Sequence, residues 1–119
     1  MKTLQSISGD IANLLNCSSG GSCGIFARWV TKIAVANNIT NFRIVFGYVK
    51  MYTHVEHIWI EHDGKKIDPT VAQFAPSFQG YAPGRRKSYT PQQFLSMNNF
   101  SLKNKTRGQS VIVRHLRKA

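Results

Sequence analysis

The dipeptide Asp63-Gly64 separates VEHIWIEH (55–62) from KKIDP (65–69). Both residues tolerate the positive φ of a two-residue type I′ turn, so the chain is expected to fold back here as an antiparallel hairpin. Such a turn sets the register: His62 opposite Lys65, Glu61 opposite Lys66, Ile60 opposite Ile67 and Trp59 opposite Asp68. Because strand side chains alternate, Val55, His57, Trp59 and Glu61 share one face with Lys66, Asp68 and Thr70. Ile58 and Ile60 share the other with Ile67. A slip of one residue would bury the polar set and expose the isoleucines, which pins the register. Asp68 then lies diagonal to His57, and diagonal neighbours stand ~7–8 Å apart at the backbone, within reach of an imidazole–carboxylate hydrogen bond.

The flanking sequence supplies elements to pack on this hairpin. In 3–16, Leu4, Ile7, Ile11, Leu14 and Leu15 recur at helical spacing. CSSGGS (17–22) reads as a flexible connector, with Ser22 as cap of a second helix. That helix presents Ile25, Phe26, Trp29, Val30, Ile33 and Ala34 on one face and stops at Asn37-Asn38. NFRIVFGYVKM (41–51) is β-branched and aromatic on both faces, as an internal strand would be. AQFAPSFQGYAPGRRKSYT is expected to wrap the surface as an ordered or semi-ordered loop. Thr90-Pro91 starts a short helix, PQQFLSMNN. NKTRGQS reads as a turn, and SVIVRHLRK as a last strand or a basic helix. The expected fold is α+β, with N-terminal helices packed on a small antiparallel sheet. With 119 residues and no visible linker, residues 1–119 are read as one domain, the segment 71–119 included.

Charge is distributed unevenly. Residues 1–70 carry seven Lys or Arg and all five acids, whereas 71–119 carry nine Lys or Arg and no acid. The basic half suits an acidic protein partner or nucleic acid, against the plainer reading of a solvated face. No run approaches the ~20 apolar residues of a membrane span, and no signal-peptide pattern opens the chain, so a cytoplasmic protein is expected. A disulfide between Cys17 and Cys23 would close a very short loop and is not expected.

A histidine oriented by a carboxylate is a general base in need of a nucleophile. Cys23, at the start of the second helix after a Gly/Ser-rich approach, is the candidate. Helix dipole and imidazolium both favour thiolate there, and free first-turn N–H groups can hold an oxyanion. His54 is the alternative to His57, and Trp59 is read as a wall shielding the His57–Asp68 bond.

Cys23, then Phe46-Gly47-Tyr48, His57-Ile58-Trp59 and Asp68-Pro69-Thr70 together resemble the core of the transglutaminase-like branch of the papain-type cysteine enzymes. The resemblance covers roughly residues 22–71. It implies a papain-like core and a Cys23–His57–Asp68 triad without metal or cofactor. Cys23 would attack an amide or ester carbonyl of a protein or peptide substrate. The acyl-enzyme would be resolved by water, as in a cysteine protease-like hydrolase, or in the alternative by transglutaminase or deamidase chemistry. The Gln that often precedes the Cys in such enzymes has no counterpart here. Asn16 and Cys17 occupy its region, leaving the Cys23 N–H with Asn16 or Ser22 as candidate oxyanion donors.

Two rival readings use other features. Cys17, Cys23, His54 and His57 have the element types of a zinc site, but not the tight pairing such sites use. Phe74, Phe78, Tyr81 and Tyr89 among basic residues suit a non-enzymatic nucleic-acid-binding module, without any recognised motif.

Overall fold

A computed structural model describes residues 2–97. Of the expectations above, NKTRGQS, SVIVRHLRK and the end of PQQFLSMNN fall outside the described residues. The elements are α1 (Leu4–Leu14), α2 (Ser22–Ala36), β1 (Arg43–Lys50), β2 (His54–His62), β3 (Lys65–Ile67), a 3₁₀ helix (Pro69–Phe74), β4 (Lys87–Tyr89) and α3 (Pro91–Leu95). The strands form one antiparallel sheet in the order β3-β2-β1-β4, and the helices pack on it, giving an α+β fold.

The hairpin has the expected register. Ile60 pairs with Ile67, Glu61 with Lys66 and His62 with Lys65. Asp63 and Gly64 take φ of 52° and 75°, as a type I′ turn requires. β1 lies inside the sheet, which explains why it is apolar on both faces. On the helix side, Ile44 and Ile60 are fully buried under α1 and α2 beside Leu4, Ile7, Ile11, Phe26, Val30 and Phe94. Each such aliphatic side chain contributes about 1.5–3 kcal/mol through burial.

Capping defines the helix starts. Thr3 and Ser6 form a capping box on α1, and Thr90 with Gln93 forms another on α3, ahead of Pro91. α2 differs from expectation. Its cap is Gly21, in the left-handed region at φ 81°, where a side chain would be strained. Ser22 is instead the first helical residue, and its buried hydroxyl donates to the Cys17 carbonyl at 3.1 Å.

Two further expectations are corrected. Asp68 is not a strand residue: β3 ends at Ile67, and Asp68 takes φ −151°, ψ 65° to lead into the 3₁₀ helix. The segment after Thr70 is also not a plain wrapping loop. It holds most of that 3₁₀ helix, a bridge from Tyr81 to Val49, and the edge strand β4. Three residues of β4 are too few to show the alternation by which a strand is read from sequence.

Candidate functional site

The second face of the sheet is also covered. Val45, Val49, His57 and Trp59 are buried there, Phe74 of the 3₁₀ helix packing edge-on against His57 at 4.9 Å and Tyr81 against Trp59 at 4.9 Å. Gly47 stands directly across from His57. A Cβ on Gly47 would lie 2.5 Å from the Trp59 ring, so the missing side chain leaves the space that the indole fills.

His57 is 2 % exposed, and its Nε2 meets both carboxylate oxygens of Asp68, at 2.9 and 2.8 Å. Asp68 is itself well supplied with donors: the Tyr81 hydroxyl donates at 2.6 Å and the Thr70 hydroxyl at 3.2 Å. Burial alone would lower the His57 pKa, but the hydrogen bond to Asp68 and the negative charges of Asp68 and Cys23 outweigh it and raise it to about 9. Burial raises the Tyr81 pKa, and the hydrogen bond to Asp68 and its charge raise it further, so the phenol stays protonated and acts as a donor.

Cys23 reaches this pair from the helix. β3 pairs only with Ile60–His62, so the β2 edge is open at His57 and Ile58. There the Ile58 N–H and the Gln73 side chain are close enough to the Cys23 sulfur to favour its thiolate. Burial would raise the Cys23 pKa, yet the neighbouring His57 and its charge, with the Ile58 N–H and the Gln73 side chain, lower it below the ordinary thiol value. With Nε2 taken by Asp68, Nδ1 is the His57 nitrogen left for the thiol; it is buried and meets strict hydrogen-bond geometry with no described group. The sulfur is thus beside the ring and coupled to it, short of a fully formed bond.

No protein-family model, curated protein or solved structure matches the chain.

The first turn of α2 completes the arrangement. Of its four orphan N–H groups, Gly21 donates to Gln73 Oε1 at 3.3 Å and Ser22 to the Ser19 carbonyl at 3.2 Å. Those of Cys23 and Gly24 have no acceptor among the described residues. A carbonyl oxygen placed on them would develop negative charge against two free donors.

The other residues singled out from sequence are placed elsewhere. Asn16 is exposed and its side-chain oxygen accepts from the Ser18 N–H, while the Ser22 hydroxyl donates to the Cys17 carbonyl. The Trp59 N–H donates to Glu61 at 2.9 Å, which fits a wall and not a donor to the cleft. His54 is exposed at the start of β2, opposite Lys50. Among the described residues no group of His, Cys, Asp and Glu is arranged to hold a metal, and Cys17 and Cys23 are free thiols. No described helix is long and apolar enough to cross a membrane.

Sequence reasoning did not single out Gln73, and it gave Phe74 and Tyr81 to a nucleic-acid surface, whereas their rings pack on His57 and Trp59. Gln73 carries a faint signal, since it lies three residues after Thr70 and its amide donates to the Thr70 carbonyl at 3.0 Å. Tyr81 carries none, because the stretch before it has no period. Glu61 ties Trp59 to Arg86 through its two oxygens, at 2.9 and 2.8 Å. The His62 ring contacts Gln5 of α1 at 3.3 Å and Asp63 at 3.4 Å.

Proposed function

We propose that the chain is a thiol hydrolase with a papain-like, transglutaminase-like core, acting on a peptide or glutamine-type amide through an acyl-enzyme. One observation carries this reading: the lowered-pKa Cys23 thiol lies between the His57 imidazole, held by both oxygens of Asp68, and the open N-terminus of α2. Structural thiols have no need of a neighbouring histidine clamped by a carboxylate, or of unused helix N–H groups.

In the acylation step the Cys23 thiolate adds to the carbonyl carbon, and the oxygen takes the negative charge against the Cys23 and Gly24 N–H groups. The imidazolium of His57 gives its proton to the leaving amine, the C–N bond breaks, and a thioester remains. Water then adds to the thioester as neutral His57 removes its proton; collapse releases the acid and restores thiolate and imidazolium. Asp68 stays ionised throughout and orients the ring. An amine in place of the water would give transglutaminase chemistry at the same residues.

A peptide vinyl sulfone or a slow peptide ester, followed by intact-mass measurement and peptide mapping, tests the reading. The expected result is one adduct, on Cys23, absent from Cys23→Ala. Labelling of Cys17 and Cys23 at equal rates, or ester turnover that survives Cys23→Ala, would overturn it.

A further inference from the structure

Cys23 and the buried His57 are among the residues lining a cleft of about 820 Å³, together with Phe46, Tyr48 and Ile58 of the helix-side face of the sheet. Its two long walls differ in charge. The β4 side carries Arg85 and Lys87, both exposed and in no ion pair among the described residues. Arg86, between them, is neutralised by Glu61 at 2.8 Å. The β2 side carries one carboxylate, Glu56. No acid occurs anywhere in residues 71–119, so nothing in that half of the chain can offset Arg85 and Lys87.

Resting on the thiol-hydrolase reading, we propose that the cleft selects an acidic acyl donor: an extended peptide whose carboxylate side chains flank the reacting carbonyl and meet Arg85 and Lys87. A peptide fits better than a nucleic acid, because the cleft ends at a thiol and imidazole suited to an acyl carbonyl. The described face of β4 away from β1 is also a sheet edge, able to pair with an extended main chain. Cationic groups at the rim of a cleft act mainly on encounter and selection, and their effect falls with salt.

Equilibrium binding to the full-length Cys23→Ala chain separates this proposal from the catalytic reading, since it needs no turnover. Fluorescence anisotropy compares a labelled peptide carrying Glu on both sides of a central Gln, its isostere with each Glu replaced by Gln, and a single-stranded oligonucleotide. The acidic peptide is expected to bind ~10-fold tighter than its isostere at low ionic strength, a preference that high salt removes. Arg85→Glu combined with Lys87→Glu should abolish the preference, although the cations of residues 103–118 remain. The milder pair Arg85→Gln and Lys87→Gln should reduce it, which keeps the test open if charge reversal impairs folding. Equal binding of both peptides, a preference untouched by either pair, or tighter oligonucleotide binding through the same residues would overturn the proposal. Rapid alkylation of Cys23 in the unmutated chain alongside any of those outcomes would leave the thiol chemistry standing and the substrate assignment refuted.

Discussion

The Asp68 carboxylate grips His57 Nε2 with both oxygens while the Tyr81 hydroxyl donates to the same carboxylate at 2.6 Å. Asp68 therefore does two things to the ring: it fixes which nitrogen faces Cys23, and it holds the ring protonated well above an ordinary histidine. Replacing it with Asn keeps the shape and removes the charge. Asp68→Asn is expected to lower the His57 pKa from about 9 and to slow acylation by ~10²-fold or more, the usual scale of acid–base catalysis. Single-turnover acylation, with an NMR titration of the His57 ring, checks both.

Tyr81→Phe should act in the opposite sense on the ring. The phenol shares the negative charge of Asp68, so its loss leaves more of that charge for His57 and raises the imidazole pKa further. Loss of one hydrogen bond to a charged group is also expected to destabilise the fold by about 1.5–3 kcal/mol. A structural role alone would move the melting temperature and leave the His57 titration in place.

The pH dependence of acylation follows from the two shifts. Attack needs the Cys23 thiolate, whose pKa is lowered, so the acid limb should fall below the range of an ordinary thiol. Leaving-group protonation needs imidazolium, present below about 9 and lost as pH rises through that value. A bell-shaped profile with its basic limb near pH 9 is expected in kcat/KM. An activity that climbs monotonically above that limb would contradict the assignment of His57 as the acid.

Gly47→Ala tests the packing that supports the site. The new Cβ would sit 2.5 Å from the indole of Trp59, which is 2 % exposed and pinned by Glu61. The indole cannot swing aside freely, so a loss of about 1–3 kcal/mol is expected from overpacking. Denaturant unfolding gives the stability change.

The hairpin was legible because two independent signals agreed, the Asp63-Gly64 turn and the isoleucines at 58, 60 and 67. Once the register was fixed, the meeting of His57 and Asp68 followed from strand alternation, even though Asp68 itself leaves the strand. The partners of Asp68 were hidden, because Tyr81 and Gln73 come from an aperiodic segment whose path depends on what it packs against. The cap of α2 was misread for a local reason: Gly21 and Ser22 are adjacent candidates, and the choice turns on a left-handed φ that composition does not reveal. Glu61 gained a role only from Arg86, brought close by the short edge strand that the sequence did not announce.

The most direct test of the account is the pH dependence of Cys23 alkylation by iodoacetamide, with Cys17 followed in the same digest. Cys17 serves as an internal control, its pKa raised by burial and by the Asp68 charge. The account predicts that Cys23 labels with an apparent pKa below the ordinary thiol value, well ahead of Cys17, and that His57→Ala removes this advantage. Labelling of Cys23 with an ordinary thiol pKa, unchanged by His57→Ala, would contradict it.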